Sequence, residues 1–275
     1  MNPPMMVPTP NPFATPPAFA TAQPTPSSER DLLRRGLIGA GERARALGGT
    51  LGVVVIDLGS GAVGELNGDA SLPMRGVQRL LVAIVAYAAA DRGTLPLDRV
   101  VANDGENVTV RDLIGEMLVD GDDSAAKTLT DELGGIDALN AAIRDLGFDK
   151  IVAGAHDNGV ATPVELAKLL GELFDGHVLR ASSRSALMAT LSSVQGAPGR
   201  LRAGLPERAQ LAHAIGTSTA DGPMTVNNDI GIASFFGRKI IVVAMLSGAA
   251  GTPAQRDAIL AAVAQAGVNA VNVTP

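Results

Sequence analysis

The sequence predicts a mixed fold in which an α/β part is joined to an all-α part. A β-branched run at residues 51–58 is followed, after Gly59-Ser60-Gly61, by a returning strand at 62–67. Residues 77–90 are apolar on nearly every side, the signature of a helix enclosed at the centre of a molecule. Strand-like segments then reappear only in the last third of the chain.

The elements follow in order. Leu32, Leu33, Leu37 and Leu47 have helical spacing behind a serine, which predicts a helix over 29–47. After the hairpin and the central helix, Thr109-Val110-Arg111-Asp112 opens a helix over 110–119. Another starts at Ser124 behind Asp122 and Asp123 and stops at Gly134-Gly135, and a third covers 136–146. Thr162-Pro163 places proline in the first turn of a helix over 164–174, and 182–191 forms the next. Strands are expected at 211–217, 224–236 and 240–246, then an amphipathic helix over 253–265. The α/β part thus comprises about 29–68 and 211–275, and the helical part about 69–210.

Residues 1–28, rich in Pro, Thr and Ala, read as a disordered tail. Ala20-Thr21-Ala22 has the small-x-small look of an export cleavage site, but the basic start and apolar core of a signal peptide are missing. With 275 residues, 46% of them hydrophobic, the chain can bury a substantial core. A net charge of -6 argues against a nucleic-acid partner, and no charge-free apolar run is long enough for a membrane span. There is no cysteine, so disulfides and thiol nucleophiles are excluded. The three histidines, at 156, 177 and 213, are too dispersed to suggest a zinc site, and nothing calls for a cofactor.

The most informative stretch is Leu72-Pro73-Met74-Arg75-Gly76-Val77-Gln78-Arg79 ahead of the central helix. It resembles the segment of class A β-lactamases and related penicillin-recognising serine hydrolases that carries their Ser-x-x-Lys pair. Val110-Arg111-Asp112-Leu113, Gly134-Gly135, Thr162-Pro163 and Asn228-Asp229-Ile230-Gly231 are similar to family segments in the same order. The resemblance covers residues 30 to 270. It implies a β-lactamase/DD-peptidase-like fold: a five-stranded antiparallel sheet flanked by terminal helices, with a helical subdomain. It also implies an extracytoplasmic location, although a cytoplasmic one stays open without a clear signal peptide.

Carried over position by position, the resemblance implies a degenerate site. Gly76 stands at the nucleophile position and Arg79 at that of the lysine base. Glycine has no side chain to attack with, and arginine does not deprotonate at working pH. The Ser-Asp-Asn station reads Gly121-Asp122-Asp123, so the relay hydroxyl is gone and an acceptor-only carboxylate replaces an amide donor. The Lys-Thr/Ser-Gly station reads Ala214-Ile215-Gly216. The thirteen residues from Asp149 to Ala161 contain no glutamate to activate a hydrolytic water.

Backbone donors survive side-chain loss. The family's oxyanion hole maps to the N–H groups of Gly76 and Thr217, which leaves a cleft suited to a carboxylate, β-lactam or peptidoglycan fragment. The opposite expectation is that Arg79 fills the cleft by pairing with Asp122 or Asp123. A literal Ser-x-x-Lys does occur at Ser124-Ala125-Ala126-Lys127, one station too late, where helix-start chemistry also accounts for the serine. The sequence therefore suggests a family member that has lost its catalytic residues and serves in binding or structure. The alternative is a hydrolase acting through displaced residues such as Ser124 and Lys127.

Overall fold

A computed structural model of the chain describes residues 26–218 and 225–271. Helix α1 (Pro26–Ala46) leads into strands β1 (Thr50–Asp57) and β2 (Val63–Leu66). The expected tail lies outside the described residues apart from 26–28, which open α1. At the other end come β8 (Gln210–Thr217), β9 (Val226–Phe235), β10 (Arg238–Ser247) and the terminal helix α9 (Pro253–Val271). Residue 224, the expected start of β9, also lies outside the described residues. The five strands form one antiparallel sheet in the order β2-β1-β10-β9-β8, with β8 at an edge.

Strand alternation divides the core in two. Val53, Val55, Val242 and Ala244 face α1 and α9, while Val54, Ile241, Val243 and Met245 face the helical part. Helix α9 continues past the expected end at 265, and Gly267 in that extension lies flush on the sheet. A β-carbon there would sit 2.9 Å from Ile240 and 3.2 Å from Val55.

The helical part is built around α2 (Gln78–Arg92), buried on nearly every side as its composition predicts, and ended by Gly93 in the left-handed region. Around it lie α3 (Val110–Gly115), α4 (Asp123–Glu132), α5 (Gly135–Asp145), α6 (Pro163–Asp175), α7 (Ala181–Ser192) and the short α8 (Leu201–Gly204). The helix expected over 110–119 is interrupted. After α3 the chain widens into a π turn, Glu116–Asp120, that closes on Gly121 at φ 75°. Two small sheets have no counterpart in the sequence reading: β3 (Leu72–Pro73) with β6 (Ile151–Val152) and β7 (Val160–Ala161), and the hairpin of β4 (Val100–Asn103) with β5 (Glu106–Thr109). Their strands are two to four residues long, and only β4 alternates in burial.

Candidate active-site cleft

A single 3₁₀ turn, Arg75–Val77, delivers position 76 to the edge strand β8. Asn228 on β9 holds that turn, donating from Nδ2 to the carbonyls of Pro73 (2.8 Å) and Met74 (2.9 Å). Met74 in turn donates its N–H to Gly159 at 2.9 Å. The two backbones meet closely. A β-carbon on Gly216 would lie 2.3 Å from the Met74 carbonyl oxygen, so this strand position requires glycine. A β-carbon on Gly76 would lie 2.6 Å from the carbonyl oxygen of Ile215. Every side chain other than glycine's begins with that atom, so such a residue at position 76 requires the Ile215 carbonyl or the turn itself to shift.

The backbone donor on β8 is well directed. Ser218 N–H donates to Val226 at 3.0 Å, which makes it a hydrogen-bonded ladder position. Alternation along an antiparallel pair then turns the N–H of Thr217 away from β9, toward the open side of the edge strand. Behind the strand, buried Arg200 donates from Nη2 to Thr217 Oγ1 (2.8 Å) and from Nη1 to the carbonyls of Asn228 (2.9 Å) and Gly216 (3.3 Å). Its Nε is paired with Asp257 at 2.8 Å. Arg200 thus braces the end of β8 from the loop before α8, where no local pattern announces it.

Arg79 projects from the first turn of α2 and pairs with two carboxylates: Asp123 at the start of α4, and Asp157, whose Oδ2 is 2.8 Å from its Nε. Of the two expected partners, Asp122 or Asp123, it is Asp123 that pairs and Asp122 that does not. That residue caps α4, accepting from the N–H of Ala125 at 2.8 Å. The pair is also less enclosed than its apolar helix suggested, because the Asp123 side chain is 92% exposed whereas those of Asp157 and Arg79 are 19% and 13% exposed. Asp157 belongs to the loop that lacks a glutamate, where no motif marks it. It reaches Arg79 through two successive left-handed residues, His156 (φ 53°) and Asp157 (φ 57°). Buried Gln78 anchors that loop, donating to the carbonyl of Gly154 and accepting from the N–H groups of Gly154 and Gly159.

Pairing does not fill the site. Among the described residues a cavity of about 640 Å³ remains, lined by Gly76, Arg79, Gly121, Asp123, Ala214, Ile215 and Thr217, so the family positions do converge. Ser124 and Lys127 stand apart from it and from each other's chemistry. The Ser124 hydroxyl donates to Asn103 Oδ1 at 2.7 Å, and the exposed Lys127 ammonium rests on Asp131 at 2.6 Å. The carboxylate beside Lys127, by hydrogen bond and charge, raises the ammonium pKa and keeps it protonated, the opposite of what a base needs. No group of three or more His, Asp or Glu side chains suited to a metal ion occurs among the described residues.

One further polar cluster supports β8 from within. His213 Nδ1 is 2.8 Å from Asp229 Oδ1, and its Nε2 is 3.2 Å from the Val194 carbonyl, all deeply buried. Burial alone pushes the imidazole pKa down, but hydrogen bonding and charge from Asp229, with the Val194 carbonyl, outweigh it and raise the value above 6.5.

The likeness to known proteins agrees with this geometry. A β-lactamase from Streptomyces albus G is 28% identical over 245 residues, covering 78% of this chain and 77% of that protein. Among solved structures, a reconstructed ancestral class A β-lactamase superposes with a TM-score of 0.79 at 28% identity, covering 86% of this chain and 99% of its own. A β-lactamase from Xanthomonas campestris gives a TM-score of 0.81 at 27% identity, covering 89% and 99%. The model of the beta-lactamase enzyme family matches residues 40–271, from the last turns of α1 to the end of α9. This chain belongs to the β-lactamase enzyme family.

Proposed function

We propose that the protein is a non-catalytic member of this family whose cleft binds a ligand without turning it over. The observation that carries the reading is the 2.6 Å approach of the Ile215 carbonyl to the place of a β-carbon on Gly76. Acyl transfer needs a nucleophile and a base in contact. Here a side chain at position 76 requires the Ile215 carbonyl or the turn to shift, and Arg79, a permanent cation, is committed to Asp123 and Asp157.

Binding chemistry persists beside the lost catalytic chemistry. The outward N–H of Thr217 and the backbone of Gly76 make a corner of the cleft that offers hydrogen-bond donors, with Arg200, paired to Asp257, behind the strand on the Thr217 hydroxyl. A carbonyl or carboxylate oxygen suits that corner, which favours a β-lactam or a peptidoglycan peptide as ligand. An extracytoplasmic location, where such ligands occur, accompanies this reading.

The test is incubation with a fluorescent penicillin, followed by denaturation and intact-mass measurement, beside thermal-shift titration with β-lactams and peptidoglycan fragments. No covalent label and a saturable rise in melting temperature are expected. A stoichiometric adduct mapped to Ser124 would overturn the proposal in favour of displaced catalysis.

A further inference from the structure

His213 on β8 has a hydrogen-bond acceptor at each ring nitrogen. Asp229 Oδ1 lies 2.8 Å from Nδ1, and the Val194 carbonyl oxygen lies 3.2 Å from Nε2. The other oxygen of Asp229, Oδ2, accepts from the N–H of Leu201 at 3.2 Å. One buried pair therefore fastens both ends of the 194–200 loop between α7 and α8, and Gly196 in that loop lines the cleft. A β-carbon on Gly196 would lie 2.4 Å from Ile215 Cδ1, so the loop rests directly on the strand. Between the two tethers Ala197 is held at φ 53°, a left-handed conformation that alanine disfavours.

Two acceptors require two donors. A neutral imidazole carries one N–H, so either tautomer leaves a lone pair facing an acceptor in a buried place. The charge-assisted contact with Asp229 is the stronger, so loss of a proton costs the Val194 contact. Burial lowers the ring pKa and Arg202 on α8 adds to that, but Asp229 and the Val194 carbonyl outweigh both and raise it above 6.5. The other charges on elements packed around β8 have partners elsewhere. Arg200 and Asp257 pair with each other, Arg184 of α7 donates to the Phe174 carbonyl, and Arg75 and Arg79 turn to Asn158 and Asp157.

We propose that the His213–Asp229 pair is a proton-operated latch on the cleft. With both ring nitrogens protonated the 194–200 loop is drawn onto β8, and loss of the Nε2 proton frees its Val194 end and loosens the wall at Gly196. The latch does not depend on what the cleft binds.

Nuclear magnetic resonance of the full, ligand-free chain tests this. Both ring nitrogens of His213 are expected to be protonated at the acid end of a pH titration, with Nε2 the one that loses its proton. Protection of the Arg200 and Leu201 amides, corrected for the intrinsic pH dependence of exchange, should fall across that titration about tenfold more than protection of β10 amides, a difference of about 1.4 kcal/mol. Asp229→Asn keeps an acceptor for Nδ1 but removes the charge, so the loop midpoint should move to lower pH. Should that variant fail to fold, the titration of the parent chain decides. A ring that is neutral at the acid end, loop protection that stays constant while His213 titrates, or an equal fall in β10 would each overturn the proposal. None of these measurements uses a ligand, so the penicillin and thermal-shift outcomes for the cleft stand apart from them.

Discussion

Arg79 Nε lies 2.8 Å from Asp157 Oδ2, and this contact ties the central helix to the loop that closes the lower side of the cleft. Both side chains are mostly buried, whereas the second partner, Asp123, stands in solvent. The Asp157 half of the bridge therefore carries most of its energetic weight, since water screens the other.

Arg79→Ala is expected to destabilise the fold by about 1–3 kcal/mol, less than for a fully buried pair, because half the interaction is exposed. Asp123→Asn should cost well under that. Urea denaturation of both variants measures the difference, and an unchanged midpoint for Arg79→Ala would show that the bridge contributes nothing.

Gly76→Ala tests the crowding at the nucleophile position without adding chemistry. Overpacking against a backbone carbonyl is expected to cost about 1–3 kcal/mol. Equal stability of the variant and the parent would mean that the turn yields freely and that position 76 remains open to a side chain.

Restoring the pair with Gly76→Ser and Arg79→Lys is expected to give no efficient hydrolysis. The serine inherits the collision with Ile215, and Gly121, Ala214 and Ile215 still lack relay hydroxyl, cation and second hydroxyl. Each acid–base function is worth about 10²–10⁴-fold, so the deficit is on the order of 10⁴-fold or more, without strict additivity. Nitrocefin turnover near ordinary lactamase rates would contradict this.

His213 makes stability depend on pH. Its folded pKa is raised above 6.5, so its contribution is fully present below that value and is lost as pH climbs through the folded value. Melting temperature should fall over that window, and His213→Gln should flatten the fall. A parent and variant with parallel pH profiles would place the dependence elsewhere.

Replacing Arg200 by Ala leaves Asp257 without its guanidinium and Thr217 Oγ1 without a donor. We expect a loss of about 3–5 kcal/mol in stability, as for other broken buried pairs. Arg200→Lys should keep part of the stability yet weaken any carboxylate ligand, because a point charge cannot serve four acceptors at once. Ligand affinity unchanged in the lysine variant would show that Arg200 is purely structural.

The residue types on which the proposed loss of catalysis rests were legible in one dimension. Gly76, Arg79, Gly121 and Ala214 are side-chain identities, and no tertiary arrangement supplies a hydroxyl or a removable proton that the residue lacks. The long elements were legible for a related reason. The enclosed apolar helix α2, the capped α4 and α6, and the β-branched strands carry their periodicity within a few turns. Tertiary structure decided what depends on distance between remote segments. Asp157 meets Arg79 only because Gln78 pins the 154–159 loop, and Arg200 reaches Thr217 only across a sheet edge. That a side chain at position 76 would meet a backbone oxygen turned on the position of a single carbonyl, Ile215, more than a hundred residues away. Local sequence sets which groups exist; only packing sets which of them touch.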